Sequence, residues 1–412
     1  MRVLLSDGTG LTARQSATIL SRAGHQVEAL SPDPLCLCRV TRHVRRVHRV
    51  PAYGADPFGW LDAALAAADR HHADVLFPTQ EQVAIMSAAA ARLGGAGLLT
   101  AVPGFAALAV VQDKLAAFAT LTRLGLPQPP ATVATSRDEL ESAGPLPVFV
   151  KTAIGTASAG VCQVRTAGQL RQLAGQYERD GIFADDGVLA QQPATGPLIM
   201  AQSVFARGEL IAFHASERIR EGAGGGASHK RGIEVPAVRE HINALGGALG
   251  WHGALSADVI LSPDGPQFID INPRLVEPIN AYRSGVDLVG ALLDTARSGG
   301  AEPQAGGRTG IRTHQLLLAV LGAAQHNGRR RAVARQLWEA AFHQDGYRAS
   351  TEELTPLYHD PLTIVPVAAA AIATVIRPAT WRHFTSGSVG AYALTPAAWH
   401  QITQRFAAMT SA

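Results

Sequence analysis

The chain has 412 residues, 47% hydrophobic and 17% charged; this excludes a disordered protein and, at roughly 150 residues per domain, points to two or three folded domains. Its 36 basic and 33 acidic residues leave a net charge of +3, too even for a protein whose obligatory partner is nucleic acid. Only Lys114, Lys151 and Lys230 are lysines: either codon usage favours arginine throughout, or lysine is kept where a compact ammonium is needed and a planar guanidinium will not serve.

The aliphatic run Val3 to Leu5, the turn SDGTG, an apolar pattern through Leu20 and a second run from Gln26 to Leu30 give strand, turn, helix and strand, the order of a parallel α/β unit. A helix is expected from Trp60 to His71 and a strand from Asp74 to Phe77, ending at PTQE. Gln80 and Glu81, just past that strand, are either ligand contacts or caps of the next helix. Gly8 and Gly10 fall short of a dinucleotide-binding fingerprint. Asp113 opens a helix ending at Gly125, and Ser136 with Glu139 reads as a capping box. The strand PVFVK runs into the small-residue loop TAIGTASAG; VCQV and VLAQQ read as strands, and Ser203 to Phe213 as a hairpin turning at Arg207-Gly208. Residues 221–232 read as a mobile glycine-rich loop. Beyond about residue 300 the pattern is mostly helical, with a second capping box at Ser350 and Glu353, His314 on an apolar helix, and an apolar stretch at 361–376 that is too short to span a membrane and is expected to be a buried helix. Cys36, Cys38 and Cys162 cannot form a disulfide framework, and the N-terminus lacks the long apolar run of a signal peptide; a reducing cytoplasm fits both.

The most informative stretch is SADVILSPDGPQFIDINPR. Strands from Ala257 to Leu261 and Gln267 to Ile271 flank a Pro-Asp-Gly turn. A three-residue loop with Gly265 at positive φ places Asp258 opposite Asp270, with Asn272 on the same face. Two carboxylates and an amide oxygen form a hard oxygen cluster suited to Mg²⁺ shared with substrate phosphates.

On these residues the sequence resembles the ATP-grasp superfamily, in the manner of D-alanine:D-alanine ligase, biotin carboxylase and the large chain of carbamoyl phosphate synthetase. FIDINPR resembles that family's terminal metal motif, with Asp270 where glutamate is commoner. The resemblance implies that Asp258, Asp270 and Asn272 hold magnesium, that Arg274 steadies the transferred phosphoryl group or an acyl intermediate, and that Lys114 and Lys151 bind ATP. It implies a third basic residue near the terminal phosphates at Lys230, phosphate contacts from Ser158, and an adenine hinge at Gln191 and Ala194. Lys151 is followed by threonine where many members have proline, and Leu198 stands near where a ribose-binding carboxylate is common. The expected fold is α/β: a Rossmann-like domain at 1–108, an ATP-grasp domain at 109–300 and a mostly helical region at 301–412.

The expected activity is that of an ADP-forming ligase joining a small-molecule carboxylate and an amine through an acyl phosphate. Two alternatives stand beside it: bicarbonate activation, and a noncatalytic nucleotide- or RNA-binding protein. The basic runs at 39–49 and 329–331 lack interleaved aromatic residues, which favours no nucleic-acid partner. No membrane partner is expected, and a homodimer is left open. Tyr282 and Arg283 are candidates to line the acceptor pocket.

Overall fold

The computed structural model describes residues 1–156, 159–185, 187–354 and 358–410. The N-terminal sheet is parallel, in the order β3-β2-β1-β4, from β1 (Arg2–Leu5), β2 (Gln26–Ser31), β3 (Arg46–Arg49) and β4 (Val75–Phe77). Its alternating side chains enter two different cores: Val3, Leu5, Val27, Ala29 and Phe77 one, Leu4, Leu30 and Leu76 the other. Strands covered on both faces read as continuous apolar runs, which is why these were legible. The helix Pro57–His71 begins with proline at its first turn, is capped by Asp56 accepting from the Gly59 amide at 2.8 Å, and stops at His72 in the left-handed region.

A second, antiparallel sheet has the order β5-β8-β6-β7, from β5 (Ala131–Ala134), β6 (Val148–Thr152), β7 (Val161–Val164) and β8 (Val188–Gln191). The third sheet has seven strands in the order β13-β12-β9-β10-β11-β14-β15. It comprises β9 (Leu198–Ala206), β10 (Glu209–Glu221), β11 (Ala227–Ile233), β12 (Gly253–Ser262), β13 (Gly265–Asn272), β14 (Arg312–His314) and β15 (Thr351–Glu352). The chain turns between β9 and β10 at Arg207 and Gly208, both at positive φ, the backbone a two-residue hairpin requires.

Several expectations are corrected here. The glycine-rich stretch 221–232 is not a mobile loop: after a short turn at Ala223–Gly225 it forms β11, paired with β10 and β14. His314 ends β14 instead of lying on a helix, and burial pushes its imidazole down to about 4. Ser350 and Glu353 cap no helix; Ser350 precedes β15 and its hydroxyl bonds the His314 ring. The 361–376 stretch is helical, but Ile364, Val365, Ile372 and Ile376 face outward, so only one side is covered. No single described helix is long and apolar enough to cross a membrane.

The C-terminal region is mostly helical and packs onto both preceding parts. Ala398 and Ile402 of the helix Pro396–Thr410 lie in the core beneath the N-terminal sheet, and the Trp399 and Phe406 rings pack at a tilt against Phe105, with centroids 5.6 and 4.3 Å away. Arg14, fully buried on the first helix, pairs with buried Asp360 at 2.8 Å, and Thr41 donates to the same carboxylate at 2.5 Å. Removing one member of a buried ion pair strands the other charge, so Asp360→Ala is expected to cost about 3 kcal/mol, read as a lower denaturant midpoint in equilibrium unfolding.

Candidate active site

The β12–β13 hairpin carries the acidic cluster. Asp258 and Asp270 are direct cross-strand partners, as are Ser256 and Asn272. The route to that register differs from the expected three-residue loop: the turn holds only Pro263 and Asp264, with Ser262 opposite Gly265 at φ 114°, and a bulge at Ile269 restores the alignment. Burial, then the Asp270 charge, pushes the Asp258 carboxyl up to about 7. On the same face the Ser256 hydroxyl is buried without a partner. Two crowded carboxylates and a buried orphan oxygen are a donor set that a hard divalent cation would satisfy.

The extra residue of the bulge has a further role. Lys151, at the end of β6, donates from Nζ to the Ile269 carbonyl at 2.6 Å and to Gln191 Oε1 on β8 at 2.7 Å. One ammonium thereby joins the second sheet to the acidic hairpin. Burial lowers its pKa, opposed by the charges of Asp270 and Asp258. Lys114 is the first residue of the helix Lys114–Arg123, whose cap Asp113 accepts from the amides of Leu115 (2.7 Å) and Ala116 (3.0 Å). Its Nζ donates to the Gly155 carbonyl in the small-residue loop at 3.2 Å, and its charge is felt at Lys151. Thus Lys114, Lys151, Gln191, Asp258, Asp270 and Asn272 are brought together where the ends of β6 and β8 meet the β12–β13 edge hairpin of the seven-stranded sheet. Ala194 lies in the connection just after β8. Ser158 falls outside the described residues.

Arg274 leaves the hairpin toward the N-terminal domain and donates from Nε to Glu81 Oε1 at 2.9 Å. Burial is the largest influence and lowers the guanidinium pKa, but Glu81, Tyr392 and Asp270 together outweigh it and the net direction is upward. Glu81 is therefore a partner of the motif arginine, and no helix cap. Nearby, Asp7 accepts from the Gly10 amide at 2.7 Å, and a Cβ on Gly10 would fall 2.3 Å from Gln80 Nε2, so a larger residue there would displace the Gln80 side chain. Tyr392, from the helix Trp381–Tyr392, couples electrostatically to Arg274, and burial pushes its hydroxyl up to about 12.

Lys230 is the clearest departure. Its ammonium is fully buried and bonds Glu277, three residues beyond Arg274, and Glu353 Oε2 at 2.8 Å. Glu353 also accepts from Gln315 (2.6 Å), Gln15 (2.9 Å) and Thr313 (2.6 Å). An ammonium held by two carboxylates inside a strand is not a free phosphate ligand, so the expected approach to terminal phosphates does not match this placement. Glu277 sits at φ 54°, unusual for a residue with a side chain. Glu277 and Glu353 were missed in the sequence because one follows the metal motif without a spacing rule and the other sits in an apparent capping box. Tyr282 packs against the core cluster of the first helix, and the Arg283 carbonyl accepts from Arg308 at 3.0 Å; neither reaches the hairpin through any described bond.

No family model matches the sequence, and no curated protein sequence matches it. Solved structures do. The biotin carboxylase domain of Hydrogenobacter thermophilus 2-oxoglutarate carboxylase, a dimer in complex with MgADP, ADP and bicarbonate, aligns over 76% of this chain and 73% of its own length, with TM-score 0.60 and 17% identity. An L-amino acid ligase from Bacillus licheniformis aligns over 73% and 75% (TM-score 0.55, 16% identity). The N5-carboxyaminoimidazole synthetase of Staphylococcus aureus aligns over 77% and 82% (TM-score 0.56, 13% identity). The architecture is the ATP-grasp fold.

The raised Asp258 pKa has a definite sign. A carboxyl near 3.8 in the unfolded chain and about 7 in the native one penalises the native state above pH 7, and the penalty fades as pH falls toward 4. In chelator-treated protein, Asp258→Asn is therefore expected to be more stable than wild type at pH 8, by about 2 kcal/mol, with the two unfolding curves converging near pH 4.

Proposed function

We propose that the protein is an ATP-dependent, ADP-forming ligase that joins a small-molecule carboxylate to an amine through an acyl phosphate. The observation that carries this reading is the directly opposed Asp258–Asp270 pair with the Lys151 ammonium bridging its hairpin to Gln191. The ATP-grasp fold supports it.

In this reading Asp258, Asp270 and Asn272 hold Mg²⁺, which would neutralise phosphate charge and align the γ-phosphoryl group. Lys114 and Lys151 supply the remaining positive charge, Gln191 and the backbone at Ala194 face the adenine, and Ser158 contributes to the phosphate loop. A substrate carboxylate oxygen attacks the γ-phosphorus as the bond to ADP breaks. The amine then attacks the acyl carbon, losing a proton as phosphate departs. Arg274, held in place by Glu81, anchors the carboxylate and then the acyl phosphate. Positioning and charge neutralisation supply most of the catalysis, as in phosphoryl transfer generally. Cover from the C-terminal region keeps water from the acyl phosphate: Leu394 donates its amide to Thr156 in the phosphate loop at 3.2 Å.

ADP release measured across a matrix of amino acids and other small acids and amines, with product mass determined for every positive pair, tests the reading. An amide product carrying both substrates is expected. Bicarbonate-dependent ADP release needing no organic acid would replace the proposal with a carboxylating one. Asp270→Ala is expected to lower substrate-dependent ADP formation by about a hundredfold or more. Lys151→Arg is expected to raise the KM for ATP as well as lower kcat, because a planar fork does not fit between two acceptors placed for an ammonium.

A further inference from the structure

We propose that Glu28, His48 and His71 form a binding site for a borderline divalent transition ion, best suited to Zn²⁺, separate from the acidic hairpin. Glu28 lies on β2, His48 on the neighbouring edge strand β3, and His71 ends the helix that crosses back to β4. One ligand atom from each lies within 4.8 Å of the other two. His48 Nε2 and Glu28 Oε2 are 2.5 Å apart, and the His48 and His71 rings have centroids 4.4 Å apart, inclined at 40°.

Two imidazoles and one carboxylate are a three-ligand set that leaves a fourth position for water. Arms of about 2.0–2.2 Å in a tetrahedral site set donors about 3.3–3.6 Å apart, so the three side chains need shift by only about an ångström. A cavity of about 140 Å³ opens beside Glu28 and His71, with room for the fourth ligand. The carbonyl end of the helix Pro57–His71 favours a cation there.

The surroundings choose the metal. Arg2 and Arg45 line the same cavity, and Arg46 Nη1 stands 3.4 Å from both ring nitrogens of His71. A site depending on excess negative charge, as Mg²⁺ and Ca²⁺ sites do, would not form among them. Imidazole nitrogens bind Zn²⁺, Co²⁺ and Ni²⁺ through their lone pairs and tolerate such neighbours better. The Arg46 guanidinium stands against the His71 ring and would repel an entering cation, so its removal is informative. Location separates this cluster from the proposed nucleotide site: His71, Arg2 and Gln26 mark the amino-terminal end of the parallel strands, whereas Glu81 and Arg274 meet at the carboxyl end.

The test uses tag-free, full-length protein stripped with chelator, titrated with Co²⁺ as a visible probe and then with Zn²⁺ in competition. One tetrahedral Co²⁺ site per chain is expected, persisting in Asp258→Asn/Asp270→Asn protein. His48→Ala/His71→Ala should lose the spectrum and at least thirtyfold in affinity, Glu28→Gln should weaken binding, and Arg46→Ala should tighten it by about tenfold. Circular dichroism of the metal-free forms controls for folding, and His48→Gln replaces the alanine variant if that one unfolds. Absence of the tetrahedral spectrum from wild type, or its survival in a folded double-histidine variant, overturns the proposal.

Discussion

The ammonium of Lys230 is the point on which the three parts of the chain converge. It leaves β11, meets Glu277 from the segment following β13 and Glu353 from the C-terminal region, and the surrounding acceptors are filled by Gln15, Thr313 and Gln315. Two carboxylates this close repel unless a cation lies between them, and an ammonium this deep is unstable unless it is paired. Each group is therefore tolerable only because the others are present. The Glu277 amide donates to Thr12 and the Ile279 amide to Gln15, both on the first helix, so the arrangement also fixes where the N-terminal domain sits against the motif.

That placement explains the approach to the acidic hairpin. Arg274 reaches Glu81 only if β4 ends beside the segment leaving β13, and Glu277, three residues on, holds that segment to Lys230 and the first helix. From the other side Lys151 fastens the second sheet to the bulge at Ile269. The acidic pair is thus held between two ammonium-centred clamps while it carries a carboxyl that burial keeps reluctant to ionise. A site with rigid supports and one unsatisfied electrostatic demand is arranged to accept a cation with little rearrangement.

How much of this could be read in the chain depends on range. The buried strands β1, β2 and β4, the helix ending at His71 and the β12–β13 hairpin follow from local pattern, and local pattern found them, whereas the basic edge strand β3 (Arg46–Arg49) carries no apolar run to mark it. Asp258 opposite Asp270 was legible, although a two-residue turn and a bulge produce the register that a three-residue loop also gives. Residues 221–232 were misread because glycines suggest a loop, whereas β11 is imposed by two neighbours, one of them from beyond residue 300. Glu353 looked like a cap since its real partner, Lys230, is 123 residues away. Pairings at that distance leave no periodicity behind.

The scarcity of lysine takes on physical meaning in this arrangement. Lys151 points one group at two acceptors, 2.6 and 2.7 Å away on different strands. Lys230 bonds two carboxylates from a buried strand position. An ammonium offers three donors on a compact head; a guanidinium spreads five over a plane, needs coplanar acceptors and occupies more volume in a closed space. At both positions arginine would leave donors buried without partners or push the strands apart. Lys114 is less enclosed, yet it too donates to a carbonyl in a tight loop and adds charge next to Lys151. A chain that uses arginine at every other basic position thus has lysine at two sites, Lys151 and Lys230, whose enclosed acceptors suit a compact cation better than a guanidinium.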